Sequence, residues 1–238
     1  SRNLAKAGFF SKSGRIRAFD ERADGYVRSD GIVILVLKRQ SDLHLDAVRP
    51  YALVCSTVVN QDGRSNGLTA PNRRSQEELL LSACNSAGIK PEEVDYVETQ
   101  GTGTPMGDAV EAGALSAVFC ANRELGAPLL IGSVKTNLGH TETASGVTSI
   151  IKVALAMNHR MIPPSIHYRQ PNPAIPFDQW NLKFVTELMA WPQKKNQRLA
   201  GVSAFGFGGT NVHALLHGFA DDSGDPNTRK GSNVGLLV

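Results

Sequence analysis

No apolar run in this sequence is long enough to cross a membrane; the longest, Ile32 to Leu37, suits a single buried strand. Cysteine is scarce. Cys55, Cys84 and Cys120 are odd in number and widely spaced, which argues against a disulfide framework or a zinc site and fits a reducing cytosol. Charge of one sign is also lacking. The formal net charge is +3 and the basic residues are scattered, which excludes an electrostatic case for nucleic acid or a membrane surface. The first residues carry no secretory signal and no initiator Met, so Ser1 reads as an engineered boundary or a cut within a longer polypeptide. There is no internal repeat.

What is present is ordinary for a globular domain: 238 residues, 41% hydrophobic and 20% charged. Gly31 to Leu37 is a continuous, β-branched apolar run and predicts a strand buried on both faces. Tyr51 to Val59 predicts a second strand, followed by a long polar loop, Asn60 to Asn72. A helix is expected from Ser75, which has capping-box spacing to Glu78, as far as Gly88 at its C-terminal cap. A strand at Val94–Glu98, a helix from Asp108 to Asn122 and a strand at Leu129–Ser133 follow. Next come a loop over 135–140 and a helix bearing Val147, Ile150, Ile151, Ala154 and Leu155 on one face. Strands near 182–185, 199–204 and 212–216 complete the pattern. The alternation predicts an α/β layered fold. From about Ala220 the residues lack apolar periodicity, and 219–238 is expected to be a disordered tail.

Three strand-to-loop junctions carry candidate chemistry. Glu98 to Asp108 runs through a turn of small residues, Gly101-Thr102-Gly103-Thr104, which lets a substrate approach the backbone; Asp108 and Glu111 read as caps of the helix that follows. In Gly132 to His140, Lys135 and His140 lie five apart in a loop entering a helix. His140 can donate to an oxyanion or act as acid or base, and Lys135 can organise its neighbours or simply be solvated. Phe205 to His213 is glycine-rich with two aromatics, either a loop over a pocket or a plain turn.

Together the junctions resemble the β-ketoacyl synthase domain of modular polyketide synthases. The family's histidine motif is His-Gly-Thr-Gly-Thr, its lysine motif is similar to Lys135-Thr136-Asn137-Leu138-Gly139-His140, and its late loop is similar to Phe205–Asn211. Phe19-Asp20, Ala23 to Arg28, and Asn60 to Asn72 extend the likeness, which covers about residues 5 to 217 in family order. The resemblance implies a thiolase-like layered α-β-α-β-α fold, of which this chain holds the C-terminal half (49–218) and the end of the N-terminal half (1–48). It implies acyl transfer and decarboxylative Claisen condensation on carrier-protein thioesters, with no bound cofactor beyond the phosphopantetheine that an acyl carrier protein delivers. Further implied partners are the N-terminal ketosynthase half and a second copy in a homodimer. The implied catalytic residues are His140, Lys135 and Gln100, and the implied substrate-binding residues are Thr102, Thr104, Phe205, Gly206, Phe207 and Gly208.

Two departures qualify this. The family's nucleophilic Cys precedes the segment similar to Lys6–Arg28, so it is not among these residues, and the three cysteines present read as small core residues. Gln100 stands where the family has its first His; it can hydrogen-bond but cannot titrate. Losing one oxyanion donor costs roughly 3–4 kcal/mol, so the chain is expected to be non-elongating. The alternative is a non-catalytic module that binds an acyl carrier. A thiolase-type coenzyme A enzyme shares the fold but does not account for the length of the 60–72 match.

Overall fold

The computed structural model describes residues 8–45, 49–63, 70–192, 197–219 and 235–237. An eight-stranded mixed sheet organises them, in the order β1-β10-β2-β9-β8-β3-β4-β6. Its strands are β1 (Leu37–Arg39), β2 (Ala52–Gln61), β3 (Tyr96–Glu98), β4 (Leu129–Gly132), β6 (Leu182–Phe184), β8 (Leu199–Phe205), β9 (Thr210–Gly218) and β10 (Gly235–Leu237). A small antiparallel pair, β5 (Met161–Ile162) and β7 (Met189–Ala190), lies apart. The helices are α1 (Arg73–Ala87), α2 (Pro105–Leu115, continued by a π turn over Ser116–Cys120), α3 (Lys135–Leu138) and α4 (Ser145–His159). No described helix is long and apolar enough to cross a membrane.

Period-two alternation distributes the strand residues between two cores. Val97, Leu129, Ile131, Leu199 and Leu215 point to one face, where Leu80, Ala83 and Cys84 of α1 and Ala112 and Leu115 of α2 cover them. Tyr96, Leu130, Ala200, Val202, Ala214 and Leu216 point to the other, under Val153, Ala154 and Met157 of α4. The result is a three-layer α-β-α arrangement.

Local chemistry sets the element ends. Gly88 closes α1 in the left-handed region, at φ 64°, as its position predicts. The N-cap of α1 is Asn72, whose side chain accepts from the Ser75 N–H; Ser75 itself lies inside the helix and donates its hydroxyl to the Gln61 carbonyl. Residues 135–138, expected as loop, form a helical turn.

The expected strand at 31–37 is corrected: only Leu37 of that run is in a strand. Ile32, Ile34 and Val36 are 96%, 80% and 60% exposed. A continuous apolar run forms a buried strand only when both faces are covered, and here only one side is, with Leu35 packed against the second core. In the stretch beyond 219, Gly235–Leu237 form β10, paired between β1 and β2; residues 220–234 and 238 lie outside the described residues, as do 64–69 of the polar loop.

Candidate functional site

Strands β3, β4 and β8 run parallel to one another, so the loops after them emerge at one end of the sheet. This brings Gln100, His140 and Phe205 together from across the sequence. Tyr26, Gln100, His140, Phe205, Gly206 and Phe207 line two adjoining cavities. The first, of about 420 Å³, is polar around Asp62, Thr102, Thr104, Asp108 and Glu111. The second, of about 780 Å³, is apolar, walled by Val147, Ile150, Val202, Ala204, Val212 and Ala214.

The turn after β3 is held by two carboxylates. Glu111 accepts from the N–H groups of Gln100 (2.7 Å) and Gly101 (2.9 Å), and Asp108 accepts from those of Gly103 (3.2 Å) and Phe19 (2.7 Å). Both side chains are buried in α2 and reach back into the turn, so they brace the loop; Asp108, in the first turn, also takes a main-chain hydrogen bond from the N-cap residue Thr104, whereas the expected cap role of Glu111, in the middle of α2, is corrected. Burial pushes Asp108 up to about 8 against these hydrogen bonds. Burial also raises Glu111, while its two N–H donors and Lys135 oppose the rise. Thr104 is the residue before α2, and its hydroxyl lies 3.3 Å from that of Thr102.

The carboxamide of Gln100 is turned to the third junction. Its Nε2 donates to the Phe205 carbonyl at 3.2 Å, and the Phe205 N–H donates to its Oε1 at 3.4 Å. Beyond Phe205 the chain makes a tight hairpin turn: the Gly206 N–H donates to the Thr210 carbonyl and the Gly209 N–H to the Gly206 carbonyl. Phe207, half-exposed, meets Phe9 edge-on at 5.5 Å.

His140 is fixed by the segment from Tyr26 to Ser29. Its N–H donates to the Val27 carbonyl (2.7 Å), and its carbonyl accepts from Ser29 (3.0 Å). The Tyr26 ring lies 5.1 Å from the imidazole. Nδ1 accepts from the Glu142 N–H at 2.9 Å, which places the proton of the neutral ring on Nε2. Burial, helped by Lys135, lowers His140 to about 4, so the ring is a neutral donor at physiological pH.

Lys135 is buried rather than solvated, and it lines neither cavity. Burial lowers its pKa, while Glu98, Glu111 and Asp108 favour its charged form. It stands behind the site, buried beside the acidic side chains of Glu98, Glu111 and Asp108. Gly208 lines neither cavity either. None of the cysteines lines them: Cys84 is in the core, with burial pushing its thiol up to about 12, and Cys55 and Cys120 pack against the same core. Among the other histidines, His213 is fully buried beside the Ser203 hydroxyl, and burial lowers it to about 3.

Sequence reasoning missed Tyr26 and Glu142. Glu142 acts through its main-chain N–H, which no side-chain pattern reveals. The adjacent Arg28–Glu142 ion pair, at 2.7 Å, ties the two strips of chain together.

Comparison with known proteins agrees with this architecture. Residues 51–169 match the family description "Beta-ketoacyl synthase, C-terminal domain", residues 171–238 the "Ketoacyl-synthetase C-terminal extension", and residues 1–43 the "Beta-ketoacyl synthase, N-terminal domain". A phenolphthiocerol/phthiocerol polyketide synthase of Mycobacterium tuberculosis is 50% identical over 215 residues, covering 90% of this chain and 12% of that protein. The highly reducing polyketide synthase sorA of Penicillium rubens is 46% identical over 213 residues, covering 90% of this chain and 8% of that one. The ketosynthase from module 6 of the bacillaene synthase of Bacillus subtilis superposes with a TM-score of 0.87 at 40% identity, covering 92% of this chain and 40% of that one. The oxazolomycin ketosynthase domain OzmH KS7 from Streptomyces albus gives 0.84 at 35% identity, covering 96% and 40%. The chain thus spans less than half of each of these relatives. Its three layers are one half of the thiolase-like fold of ketosynthases, and the chain belongs to the β-ketoacyl synthase family, among the ketosynthases of polyketide synthases.

Proposed function

We propose that this chain supplies the C-terminal half of a ketosynthase site that accepts acyl groups from the phosphopantetheine thiol of an acyl carrier protein and passes them on without extending them. One observation carries this reading. Gln100 stands in the wall shared by the two cavities, at the position of the family's first His, and its amide is engaged with the Phe205 main chain.

Acyl transfer needs a thiolate that attacks the carrier thioester and a donor that stabilises the resulting oxyanion; the pantetheine thiolate then leaves. His140 Nε2–H is suited to be that donor. The thiolate is assigned to the N-terminal ketosynthase half, because the thiols of Cys84 and Cys120 are both raised by burial. The smaller cavity, with the Thr102 and Thr104 hydroxyls, suits a pantetheine arm, and the larger apolar cavity suits the acyl chain.

Condensation asks for more. A malonyl thioester must lose carbon dioxide to give an enolate, whose carbon attacks the acyl-cysteine thioester and expels the cysteine thiolate. The enolate oxygen then needs a second strong donor where Gln100 stands. Gln100 cannot become cationic, and losing one such donor costs roughly 3–4 kcal/mol, on the order of a hundredfold to a thousandfold in rate.

The test reconstitutes the chain with a cysteine-bearing N-terminal ketosynthase half. It is then supplied with an acyl carrier protein loaded with an acyl thioester and a second loaded with malonyl. Intact-protein mass spectrometry is expected to show the acyl mass on the ketosynthase and no extended chain on the second carrier. Extended product would overturn the non-elongating reading. An absence of acyl loading would instead favour the non-catalytic binding module.

A further inference from the structure

One fully buried carboxylate, so far only a charge beside Lys135, makes contacts that reach further. Glu98 ends β3, two residues before Gln100. Its Oε1 accepts from the Val134 N–H at 2.5 Å. Its Oε2 accepts from the Tyr96 hydroxyl at 2.6 Å and from the Lys152 ammonium of α4 at 2.5 Å. Lys152 also donates to the Tyr96 hydroxyl oxygen at 2.6 Å and lies 5.1 Å from the centre of the Tyr96 ring. Removing a carboxylate and an ammonium from water is expensive unless their hydrogen-bonding capacity is filled, and here both ends of Glu98 are occupied.

The Val134 N–H is the informative partner. Val134 immediately precedes α3, which starts at Lys135 and ends where the Gly139 N–H meets the Lys135 carbonyl; His140 comes next. A single carboxylate therefore fixes the point from which the segment carrying both Lys135 and His140 begins. Lys152 anchors that carboxylate from the opposite layer, and Tyr96 shares the contact with both. We propose that Glu98 and Lys152 form a positioning pair, which together with Tyr96 sets the start of the Lys135–His140 segment on the end of β3 and so holds the His140 imidazole in the wall of the site. Neither touches substrate; both act through the segment they hold.

The charged groups facing Lys135 are Glu98 from β3, Glu111 and Asp108 from α2, and Lys152 from α4; those facing His140 are Lys135 and Glu142. Neutralising Glu98 removes the carboxylate that most favours charged Lys135, and a charged Lys135 adds to the burial that holds His140 low. A segment no longer held also lets water reach the ring. Both effects raise the His140 midpoint.

The proposal rests on His140 being the donor of the proposed site, but its readout, ring titration of the intact chain by NMR, involves no turnover, so its failure and that of the acyl-transfer reading are separable. Glu98→Gln is expected to raise the His140 midpoint from about 4 toward its ordinary value by half a unit or more. Lys152→Arg is expected to keep it near that of the parent chain. Should Glu98→Gln not fold, Tyr96→Phe, which removes one hydrogen bond to Glu98 at nearly constant volume, is expected to shift the midpoint in the same direction. An unmoved midpoint in Glu98→Gln, or in Tyr96→Phe where Glu98→Gln does not fold, would overturn the proposal, because a pair that only supports the fold leaves the imidazole environment unchanged.

Discussion

The Gln100 carboxamide pairs with both main-chain groups of Phe205, donating at 3.2 Å and accepting at 3.4 Å, as one more rung at the end of β8. A typical hydrogen bond contributes about 1 kcal/mol net. Gln100→Ala is therefore expected to speed amide exchange of Phe205 and its turn by roughly fivefold without changing the exchange of β3. Unchanged protection at Phe205 would contradict the pairing.

His140 makes a pH prediction. Burial, with Lys135 second, lowers it from 6.5 to about 4, so below pH 6.5 the unfolded chain binds a proton that the folded protein refuses. Its contribution to stability is complete above pH 6.5, falls as pH drops from 6.5 to 4, and is gone below. His213, lowered by burial to about 3, acts in the same direction. A ¹⁵N-resolved titration is expected to show His140 in its Nε2–H form with a midpoint near 4. A midpoint near 6.5 would contradict the buried donor.

Asp108 makes the opposite contribution. Burial raises it to about 8, so the stability it contributes is present below its ordinary carboxylate range and is lost as pH rises through about 8. Asp108→Asn exchanges one acceptor oxygen for an amide that faces the Phe19 or the Gly103 N–H. Leaving a buried N–H unpaired costs about 1–3 kcal/mol. Denaturant unfolding above pH 8, where Asp108 is ionised, is expected to show that loss, and a stability equal to the parent's there would argue that Asp108 does not brace the turn.

Gly101 has a backbone requirement. Its φ is +34°, and a Cβ would lie 2.6 Å from the Thr99 hydroxyl oxygen and 2.8 Å from the Ser133 Cβ. Both neighbours are buried. Gly101→Ala is expected to cost roughly 1–3 kcal/mol from strain and overpacking, measured as a lower denaturant midpoint. An unchanged midpoint would mean that the turn can relax.

Much of this was legible in the sequence where chemistry is local. Gly88 marks the end of α1 because a left-handed cap favours glycine, and the periodicity of Val147 to Leu155 marks α4 as a helix, although the face it buries is that of Ser149, Val153, Ala156 and Met157 and leaves Leu155 exposed. The three junctions converge as the family resemblance implies, and the structure supplies the reason: β3, β4 and β8 are parallel, so their C-terminal ends share one edge. What was not legible depends on partners distant in sequence. Nothing near Lys135 reveals that Glu98, Glu111 and Asp108 surround it. The run Ile32 to Leu37 looks buried because apolarity is a property of residues, whereas cover is a property of what packs on them. Asn72 and Ser75 are both good caps, and only the backbone path decides between them.

The central claim is that Gln100 separates acyl transfer from condensation. The most direct measurement is carbon dioxide release and chain extension from a malonyl carrier by the reconstituted ketosynthase, comparing the parent chain with Gln100→His. The account predicts acyl loading in both and little extension by the parent, with extension rising by about a hundredfold or more in Gln100→His, in line with the roughly 3–4 kcal/mol attached to an oxyanion donor. Equal extension by the two proteins would contradict it.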